Sequence, residues 1–293
     1  MVKLYYSRLS NEEKSTIKQL TEDGKSLREI AKIMSLGITT IYYYTRKFKP
    51  KVKEPFVNKL KDFEVGELIG AFAGDGSFIH RFKTNGGRNS QYTVRYHLSL
   101  ITDKEYASYL SSLLEKINLN PMTSFVEKSH RLDVTINSKD FYNLVKEYLT
   151  WKEDKTLSIE LSKPINEYYD DFLRGFARGI MDTDGFLNDA NAGCACISER
   201  LIDNLAEIFM KFNLNISRSC IQRSGNRRQI FYIRVLRKSL EDYIRDIGFS
   251  NLHKSKKLEF LINKNGAAQI RTGIMKSQTS DTNQVVLQPH LNS

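Results

Sequence analysis

The chain has 293 residues, of which 40% are hydrophobic and 11% aromatic, and its net charge at pH 7 is +11. This apolar content can supply a sizeable core, which excludes wholesale disorder, and the length allows one large domain or two or three modest ones. The basic excess favours a polyanionic partner, with nucleic acid ahead of an anionic membrane surface.

The cysteine count and the lengths of the apolar runs indicate the cellular compartment of the protein. The chain has three cysteines, Cys194, Cys196 and Cys220, and none belongs to a CxxC pair. A sparse, odd count favours free thiols in a reducing compartment over a disulfide framework. No apolar run approaches the ~18 residues of a membrane span, and no signal-peptide pattern opens the chain. We therefore expect an intracellular, cytoplasmic protein without a membrane partner, and an organellar location stays open.

Residues 1 to 49 form the first predicted domain, and its pattern is helical. Ser10 and Glu13 make a capping box at the start of the first helix, which ends at Gly24. A second helix starts at Ser26 and is broken by the stretch "SLG". The third, "TIYYYTRKF", follows directly. The spacing therefore predicts a small all-α domain of three short helices.

The third predicted helix opens at Thr39 or Thr40 and carries tyrosine, threonine and basic side chains. Two helices joined by a tight glycine-containing turn resemble the helix-turn-helix of resolvases and many prokaryotic regulators. A three-helix bundle for contact with another protein is the alternative, but the basic third helix favours a reader of a DNA groove. The candidate DNA-binding residues of this domain are Thr39, Thr40, Tyr43 and Arg46.

An internal repeat occupies most of the remaining chain. Residues 50 to 56, in the lysine-rich stretch "KFKPKVKEP", are a predicted linker. Beyond it, "VGELIGAFAGDGSF" aligns with "LRGFARGIMDTDGFL", and the following segments keep the same order. We predict two halves, 57–160 and 161–263, each running helix–strand–strand–helix–strand–strand–helix. Residues 264–293 are polar and without periodicity, which predicts a disordered tail.

The predicted strands alternate between apolar and polar side chains. In "QYTVRYHLSL", apolar residues recur at every second position, and the positions between them are polar or basic. Each sheet is therefore expected to pack an apolar face against helices and to leave the opposite face, which carries basic side chains, open. The first hairpin, residues 77 to 101, is longer than the second, so we expect the first half to cover more of the DNA duplex than the second half. Candidate readers of bases or phosphates on these open faces are Arg81, Arg88, Gln91, Arg95, His97, Arg218, Arg223, Arg228 and Arg234.

Glycines recur at every fourth position of the first helix in each half. The stripes are Gly66, Gly70 and Gly74 in one half and Gly175 and Gly179, followed by Thr183, in the other. Residues four apart share a helix face, so two such stripes allow two backbones to approach closely. The five glycines cost about 5 kcal/mol of helix propensity, which close packing must offset. We call this predicted contact the glycine seam.

Two aspartates follow the stripes, Asp75 and Asp184. If the glycine seam closes, both carboxylates meet at helix C-termini, where the helix dipole and their mutual repulsion disfavour negative charge. A divalent, oxygen-preferring cation resolves this conflict, and Mg²⁺ or Mn²⁺ is expected. A metal held between two acids beside a phosphate backbone suits phosphodiester hydrolysis. The alternative for either copy alone is a surface Asp-Gly turn.

The segments "LIGAFAGDG" (68–76) and "ARGIMDTDG" (177–185) resemble the two motif copies of single-chain LAGLIDADG homing endonucleases. The resemblance covers roughly residues 57 to 262 and includes the repeat order. It implies an α+β fold of two pseudo-symmetric αββαββα halves that form a saddle-shaped, DNA-binding sheet surface. It also implies a monomer that makes a staggered cut in double-stranded DNA at a long, near-asymmetric site, as in intron homing.

The resemblance also implies a set of site residues. Asp75 and Asp184 match the metal-binding acids, and the backbone carbonyls of Gly74 and Thr183 are expected as further metal ligands. Family members place basic side chains around the metals. The stretch "WKEDKTLSIEL" resembles the family's segment before the second motif and makes Lys155 the first candidate. Lys254 and Lys256 are further candidates in the second half, with a phosphate contact or a solvated face as the alternative. The chain departs from the pattern at Ala73, where the motif has an acid that the second copy keeps as Asp182.

Two other functions stay open on the same scaffold. A non-cleaving, sequence-specific transcription regulator would explain the helix-turn-helix, but it gains nothing from two unpaired acids that face phosphates. An RNA-splicing maturase, with intron RNA as partner, is the second alternative. An intein host is not expected, since the chain opens with Met1 and a helical domain and has no Cys or Ser nucleophile at its start.

Overall fold

The computed structural model describes residues 9–46, 59–81, 91–188, 191–225 and 228–263. Contacts divide the chain into two units, Met1–Pro55 and Phe56–Ser293. The predicted linker 50–56, the predicted tail 264–293 and Arg88 lie outside the described residues. Within the described ranges, no helix combines the length and the apolar character that crossing a membrane requires.

The N-terminal unit is helical. Its elements are α1 (Asn11–Glu22), α2 (Leu27–Met34) and α3 (Ile38–Thr45). Ser10 and Ser26 each cap a helix through a capping box with the glutamate three residues on, as the sequence predicts for the first helix. The fully buried side chains of Ile17, Ile30 and Ile41, one from each helix, form its small core. The third helix starts at Ile38, one or two residues earlier than predicted, and its N-cap Gly37 provides no side-chain cap.

The second unit contains both predicted halves. The first comprises α4 (Asp62–Asp75), β1 (Gly76–Arg81), β2 (Gln91–Ser99), α5 (Lys104–Lys116), β3 (Met122–Val126), β4 (Arg131–Asn137) and α6 (Lys139–Tyr148). A connecting segment follows with β5 (Leu149–Thr150), α7 (Lys155–Ser158) and β6 (Glu160–Leu161). The second half comprises α8 (Asp170–Thr183), β7 (Gly185–Leu187), β8 (Ala192–Cys196), α9 (Glu199–Lys211), β9 (Ile216–Ile221), β10 (Ile230–Val235) and α10 (Leu240–Asp246), and a last helix, α11, spans 252–263.

Both halves have the same sheet topology. The strand orders are β1-β2-β4-β3 and β7-β8-β10-β9, and all of these pairs are antiparallel. The registers correspond as well, because Gly76 pairs with Tyr96 in the first half and Gly185 pairs with Cys194 in the second. The internal repeat and the α+β fold class predicted from the sequence are therefore confirmed.

The strands of each sheet bury one face against the helices. In β2, Val94, Tyr96 and Leu98 are buried, whereas Arg95 and His97 lie half-buried on the opposite, open face. In β10, Ile233 and Val235 are fully buried and Arg234 is not. The alternation predicted from the sequence sets these faces, and it leaves the open face of each sheet with polar and basic side chains.

One predicted member of the open face is placed wrongly. Arg218 pairs with the buried Ile233 in the register of β9 and β10, and side chains directly opposite each other share a face. Its guanidinium forms ion pairs with Glu199 and Asp203 of α9, 2.9 and 2.5 Å away. Arg218 therefore lies at the helix-covered face. The sequence alternation in "ISRSCI" is too weak to fix which residues point inward.

The glycine seam forms between α4 and α8, which make the most extensive contact of any two elements in the described chain. A Cβ added at Gly66 or Gly70 would overlap the backbone carbonyl oxygen of Phe172 or Phe176. On the other side, a Cβ at Gly179 would overlap the carbonyl oxygen of Glu67. Only glycine allows this approach, so the helix propensity that these residues lose is offset by backbone-to-backbone packing.

Candidate metal centre and nucleic-acid interface

The glycine seam brings Asp75 and Asp184 to neighbouring helix ends. Asp75 is the last residue of α4, and Asp184 caps the C-terminus of α8. A Cβ added at Gly74 would lie 3.2 Å from the Asp184 carboxylate, so the second acid reaches the end of the opposite helix. The two side chains that the sequence repeat singles out thus share one location between the halves.

Two lysines support the ends of these helices. Lys155 Nζ, from the start of α7, donates to the carbonyl oxygens of Gly74 (3.0 Å) and Gly76 (2.7 Å). Lys254 Nζ, from α11, donates to the last carbonyls of α8, those of Met181, Asp182 and Thr183, at 2.8 to 3.1 Å. Ammonium groups at helix C-termini satisfy carbonyls that lack intrahelical partners and oppose the negative end of the dipole.

The lysine contacts refine the predicted ligand set. The carbonyls of Gly74 and Thr183, expected as metal ligands, already accept hydrogen bonds from Lys155 and Lys254. A carbonyl oxygen has two lone pairs, so each retains one further acceptor position. Lys256 is exposed on α11, and the neighbouring Lys257 donates instead to the carbonyl of Leu187, 2.9 Å away.

Burial shifts the protonation of this four-charge cluster. Burial first, and then the charge of Asp184, raise the pKa of Asp75 to about 7. Burial also raises the pKa of Asp184 above its ordinary value, while the two lysines oppose that rise. On the basic side, burial lowers the pKa of Lys155 to about 8 and lowers that of Lys254. Charged acids are therefore costly here unless a further cation joins them.

The donor chemistry of the cluster fits a hard divalent cation. Among the described residues, no group of three or more His, Cys, Asp or Glu side chains is placed to hold a metal. Asp75 and Asp184 would thus supply two carboxylates and leave other coordination positions to water, carbonyl or phosphate oxygens. Mg²⁺ prefers this arrangement, since it retains waters and binds through one or two carboxylates together with substrate phosphates.

Asp182 has a separate, structural position. It is fully buried, and its carboxylate accepts hydrogen bonds from the backbone N–H groups of Ser250 (3.1 Å) and Asn251 (3.0 Å). The Asn251 side chain, in turn, donates to Asp103 of the first half, 2.8 Å away. Asp182 therefore fixes the segment that enters α11 and carries Lys254. The matching residue in the first half, Ala73, is buried and has no carboxylate that could accept such hydrogen bonds.

Four of the predicted DNA-binding residues lie on strands at the open faces: Gln91, Arg95, His97 and Arg234. Gln91 is exposed and donates to Asn137, and Arg234 donates to Ser219 while its guanidinium stacks over Tyr232. Arg223 is exposed beyond the end of β9, and Arg228 lies 3.8 Å from Asp154. Arg81 is the last residue of β1, and its side chain is outside the described part of the structure.

In the N-terminal unit, the predicted contact residues lie on one helix. Thr39 and Tyr43 are exposed on α3, Thr40 is half-buried, and the exposed Arg46 follows the helix with its guanidinium 4.8 Å from the ring centroid of Tyr43. Tyr42 is 58% exposed on the same helix. This surface combines aromatic rings, hydroxyls and a cation, which are the groups that contact a nucleic-acid backbone and bases.

A polar chain on the first open face was missed by sequence reasoning. Ser77 Oγ lies 2.8 Å from His97 Nε2, and His97 Nδ1 lies 2.8 Å from Asp133 Oδ1. Asp133 also forms ion pairs with Arg95 and Arg131. The alternation in "RLDVTIN" could have placed Asp133 on the polar face of its strand. Its pairing with His97 depends on the strand register, which the sequence does not reveal.

The acid pair predicts a measurable pH dependence of stability. Because the pKa of Asp75 is about 7 in the folded protein against 3.8 ordinarily, the folded state binds more protons than the unfolded state between these values. Stability is therefore lost as the pH rises through about 7, by a contribution of up to about 4 kcal/mol. Asp75→Asn removes this contribution. Without divalent cations, we expect the variant to be more stable than the wild type at about pH 8 and less sensitive to pH.

Urea unfolding with a chelator present, from about pH 5.5 to 8, measures this difference directly. The control is Asp171→Asn, on the exposed first turn of α8, where the side chain is 69% exposed. Equal pH slopes for the wild type and Asp75→Asn would show that the carboxylate is not destabilised in the folded protein.

Comparison with known proteins gives distant sequence relatives. No protein-family model matches the chain. An uncharacterized protein of Methanocaldococcus jannaschii is 25% identical over 250 residues, which cover 80% of this chain and 84% of that protein. The replication factor C small subunit of the same organism is 24% identical over 197 residues, which are 67% of this chain but 10% of that much longer protein.

Solved structures define the fold. The homing endonuclease I-DmoI, in mesophilic variants, aligns with 71% of this chain and 100% of its own at a TM-score of 0.52 and 13% identity. I-DmoI in complex with DNA and Mn aligns with 64% of this chain and 96% of its own at a TM-score of 0.50 and 12% identity. At this identity the likeness concerns the fold alone. The protein has the fold of the LAGLIDADG homing endonucleases, as the two motif copies predict.

Proposed function

We propose that this protein is a site-specific endonuclease that hydrolyses phosphodiester bonds in both strands of double-stranded DNA. Mg²⁺ or Mn²⁺ is its cofactor, and Asp75 and Asp184 are the metal-binding acids. The observation that carries this proposal is the pairing of two buried carboxylates at the closely packed ends of α4 and α8. Two sheets with basic residues on their open faces begin at the same helix ends.

The acids and the lysines of the site have different roles in the proposed reaction. When bound, the cation supplies Lewis acidity, polarising the phosphate and lowering the pKa of water. Asp75 and Asp184 would hold metal ions between them, one acid from each half, and each half would address one DNA strand. Lys155 and Lys254 fix the carbonyls that flank the acids, and their charges would oppose the negative charge that develops on the phosphate. The buried setting strengthens each of these electrostatic interactions.

DNA binding is assigned to two surfaces. The open faces of the second unit provide Gln91, Arg95, Arg228 and Arg234 for phosphates and base edges. In the N-terminal unit, α3 acts as the recognition helix of a helix-turn-helix and adds contacts from Tyr43 and Arg46. The net charge of +11 supports a polyanionic partner. I-DmoI, whose fold this chain shares, has been captured in complexes with DNA and Mn or Ca.

The decisive experiment is incubation of the full chain with a randomised double-stranded DNA library. We expect Mg²⁺ to produce cut ends at one enriched sequence, and we expect a chelator to abolish the cuts while binding persists. Enrichment of a sequence without cutting in Mg²⁺ or Mn²⁺ would favour the transcription regulator on the same scaffold. Binding of a structured intron RNA with no cutting of DNA would favour the maturase.

A further inference from the structure

Three side chains on the open face of the first sheet form a continuous hydrogen-bonded chain. Ser77 on β1, His97 on β2 and Asp133 on β4 are linked by two contacts of 2.8 Å, one at each nitrogen of the imidazole. His97 and Asp133 are direct partners in the strand register. The sheet therefore holds all three groups on strands, and not on loops.

Asp133, at one end of this hydrogen-bonded chain, fixes the orientation of the His97 imidazole. The Asp133 side chain is 4% exposed, and its oxygens contact Arg131 (2.9 Å) and Arg95 (3.7 Å) as well as His97. A carboxylate can only accept, so the proton of the imidazole lies on Nδ1. In neutral His97, Nε2 then carries a lone pair and accepts the hydroxyl proton of Ser77. The oxygen of Ser77 keeps its own lone pairs for another donor.

The other end of the chain lies beside the candidate metal centre. Ser77 follows Asp75 by two residues, which limits the separation of their Cα atoms to about 7 Å. Lys155 holds the carbonyls of Gly74 and Gly76 on both sides of Asp75, so the start of β1 is anchored to the same cluster. Ser77 is thus the first hydroxyl group along the open face beyond the acid of this half.

The second half has no counterpart. Since Gly185 pairs with Cys194 as Gly76 pairs with Tyr96, the positions that match Ser77 and His97 are Phe186 and Ala195. Ala195 pairs with Tyr232, which takes the place of Asp133. Phe186 and Ala195 have no group that can pass a proton, so the hydroxyl of Tyr232 has no relay partner at these positions. The two halves therefore differ in chemistry although their folds match.

We propose that Ser77, His97 and Asp133 form a proton relay that serves only the strand cut by the first half. This inference rests on the proposed nuclease function. The attacking water forms its bond to phosphorus and gives a proton to Ser77 Oγ, as the Ser77 hydroxyl proton moves to His97 Nε2. Asp133 stabilises the resulting imidazolium. The P–O bond to the leaving sugar oxygen breaks, and that oxygen takes a proton from solvent.

The test follows each DNA strand separately under single-turnover conditions, with the two strands carrying different end labels. Loss of a proton acceptor costs roughly 100-fold or more in rate. We expect His97→Gln and Ser77→Ala each to slow one strand by about that factor and the other by less than ~3-fold, so nicked DNA accumulates. Added imidazole should restore the slow strand in His97→Ala. The matched control is Tyr232→Phe, which should cut both strands at wild-type rates.

The outcomes separate the two proposals. If the wild type cuts neither strand, the nuclease function fails. If it cuts both and the His97 and Ser77 variants also cut both at wild-type rates, or slow both equally, the relay alone is wrong. A second measurement needs no cleavage: long-range ¹H–¹⁵N spectra of the metal-free protein should show His97 protonated on Nδ1. Protonation on Nε2 instead would overturn the relay, and Asp133→Asn should weaken the Nδ1 preference if the relay is right.

Discussion

Asp75→Asn and Asp184→Asn are each expected to abolish double-strand cutting while DNA binding survives. Each substitution removes one of the two carboxylates that the glycine seam brings together, and a neutral amide does not replace a carboxylate as a ligand of Mg²⁺. Loss of a residue that merely supports a metal ligand costs roughly 10- to 100-fold, so loss of the ligand itself should cost more. Cleavage of the selected target in Mg²⁺ measures the effect.

The affinity of these variants for DNA should not fall. Removing a negative charge from a surface that faces phosphates leaves affinity unchanged or raises it when no divalent cation is present. An affinity measurement in chelator, beside the cleavage assay in Mg²⁺, therefore separates loss of chemistry from loss of folding. Asp171→Asn, at the exposed start of the same helix, is the matched control and should behave as wild type. Wild-type cutting by either Asn variant would show that the acids are assigned wrongly.

The repeat made the contact between the two halves of the second unit predictable. Gly66 and Gly175 align in the sequence, and the structure places both at the contact between α4 and α8. Helix periodicity and the lack of a side chain leave few ways to pack such stripes, so the meeting of Asp75 with Asp184 followed from local pattern alone. Lys155 and Lys254 came from the family resemblance and not from this pattern. The structure places Lys155 at the start of α7 and Lys254 in the first turn of α11, each in the segment that follows the last helix of its half.

Strand register and side-chain partners were not predictable in this way. Arg218 was assigned to the open face, but a one-residue difference in register turns a side chain to the other face of the sheet. The sequence offered Lys254 and Lys256 equally, and only the phase of α11 points Lys254 at the carbonyls of α8. The sequence pattern predicted only that His97 contacts DNA bases or phosphates. Its link to Ser77 and Asp133 joins three strands through contacts that span 20 and 36 residues of the sequence.

The second large effect concerns the glycine seam itself: Gly70→Ala should destabilise the second unit and abolish cutting together. The added methyl group would overlap the carbonyl oxygen of Phe176, a backbone atom that cannot turn aside. Overpacking of this kind costs about 1 to 3 kcal/mol or more, which exceeds the gain of about 1 kcal/mol in helix propensity. Fluorescence of Trp151, the one tryptophan in the chain, follows the change because its ring packs against Phe72 of α4 and against Phe78.

Gly37→Ala provides the same chemical change where space exists. A Cβ at Gly37 lies 3.8 Å from the Thr40 hydroxyl oxygen, an ordinary contact in the other unit, so this variant should leave the unfolding of the second unit, followed by Trp151, as in the wild type. If the helices of Gly70→Ala separate by even part of an ångström, Asp75 and Asp184 separate with them, and the cation loses its shared site. Stability and cutting should therefore fall in the same variant. Full stability and full activity in Gly70→Ala would mean that close backbone contact is not what positions the two acids.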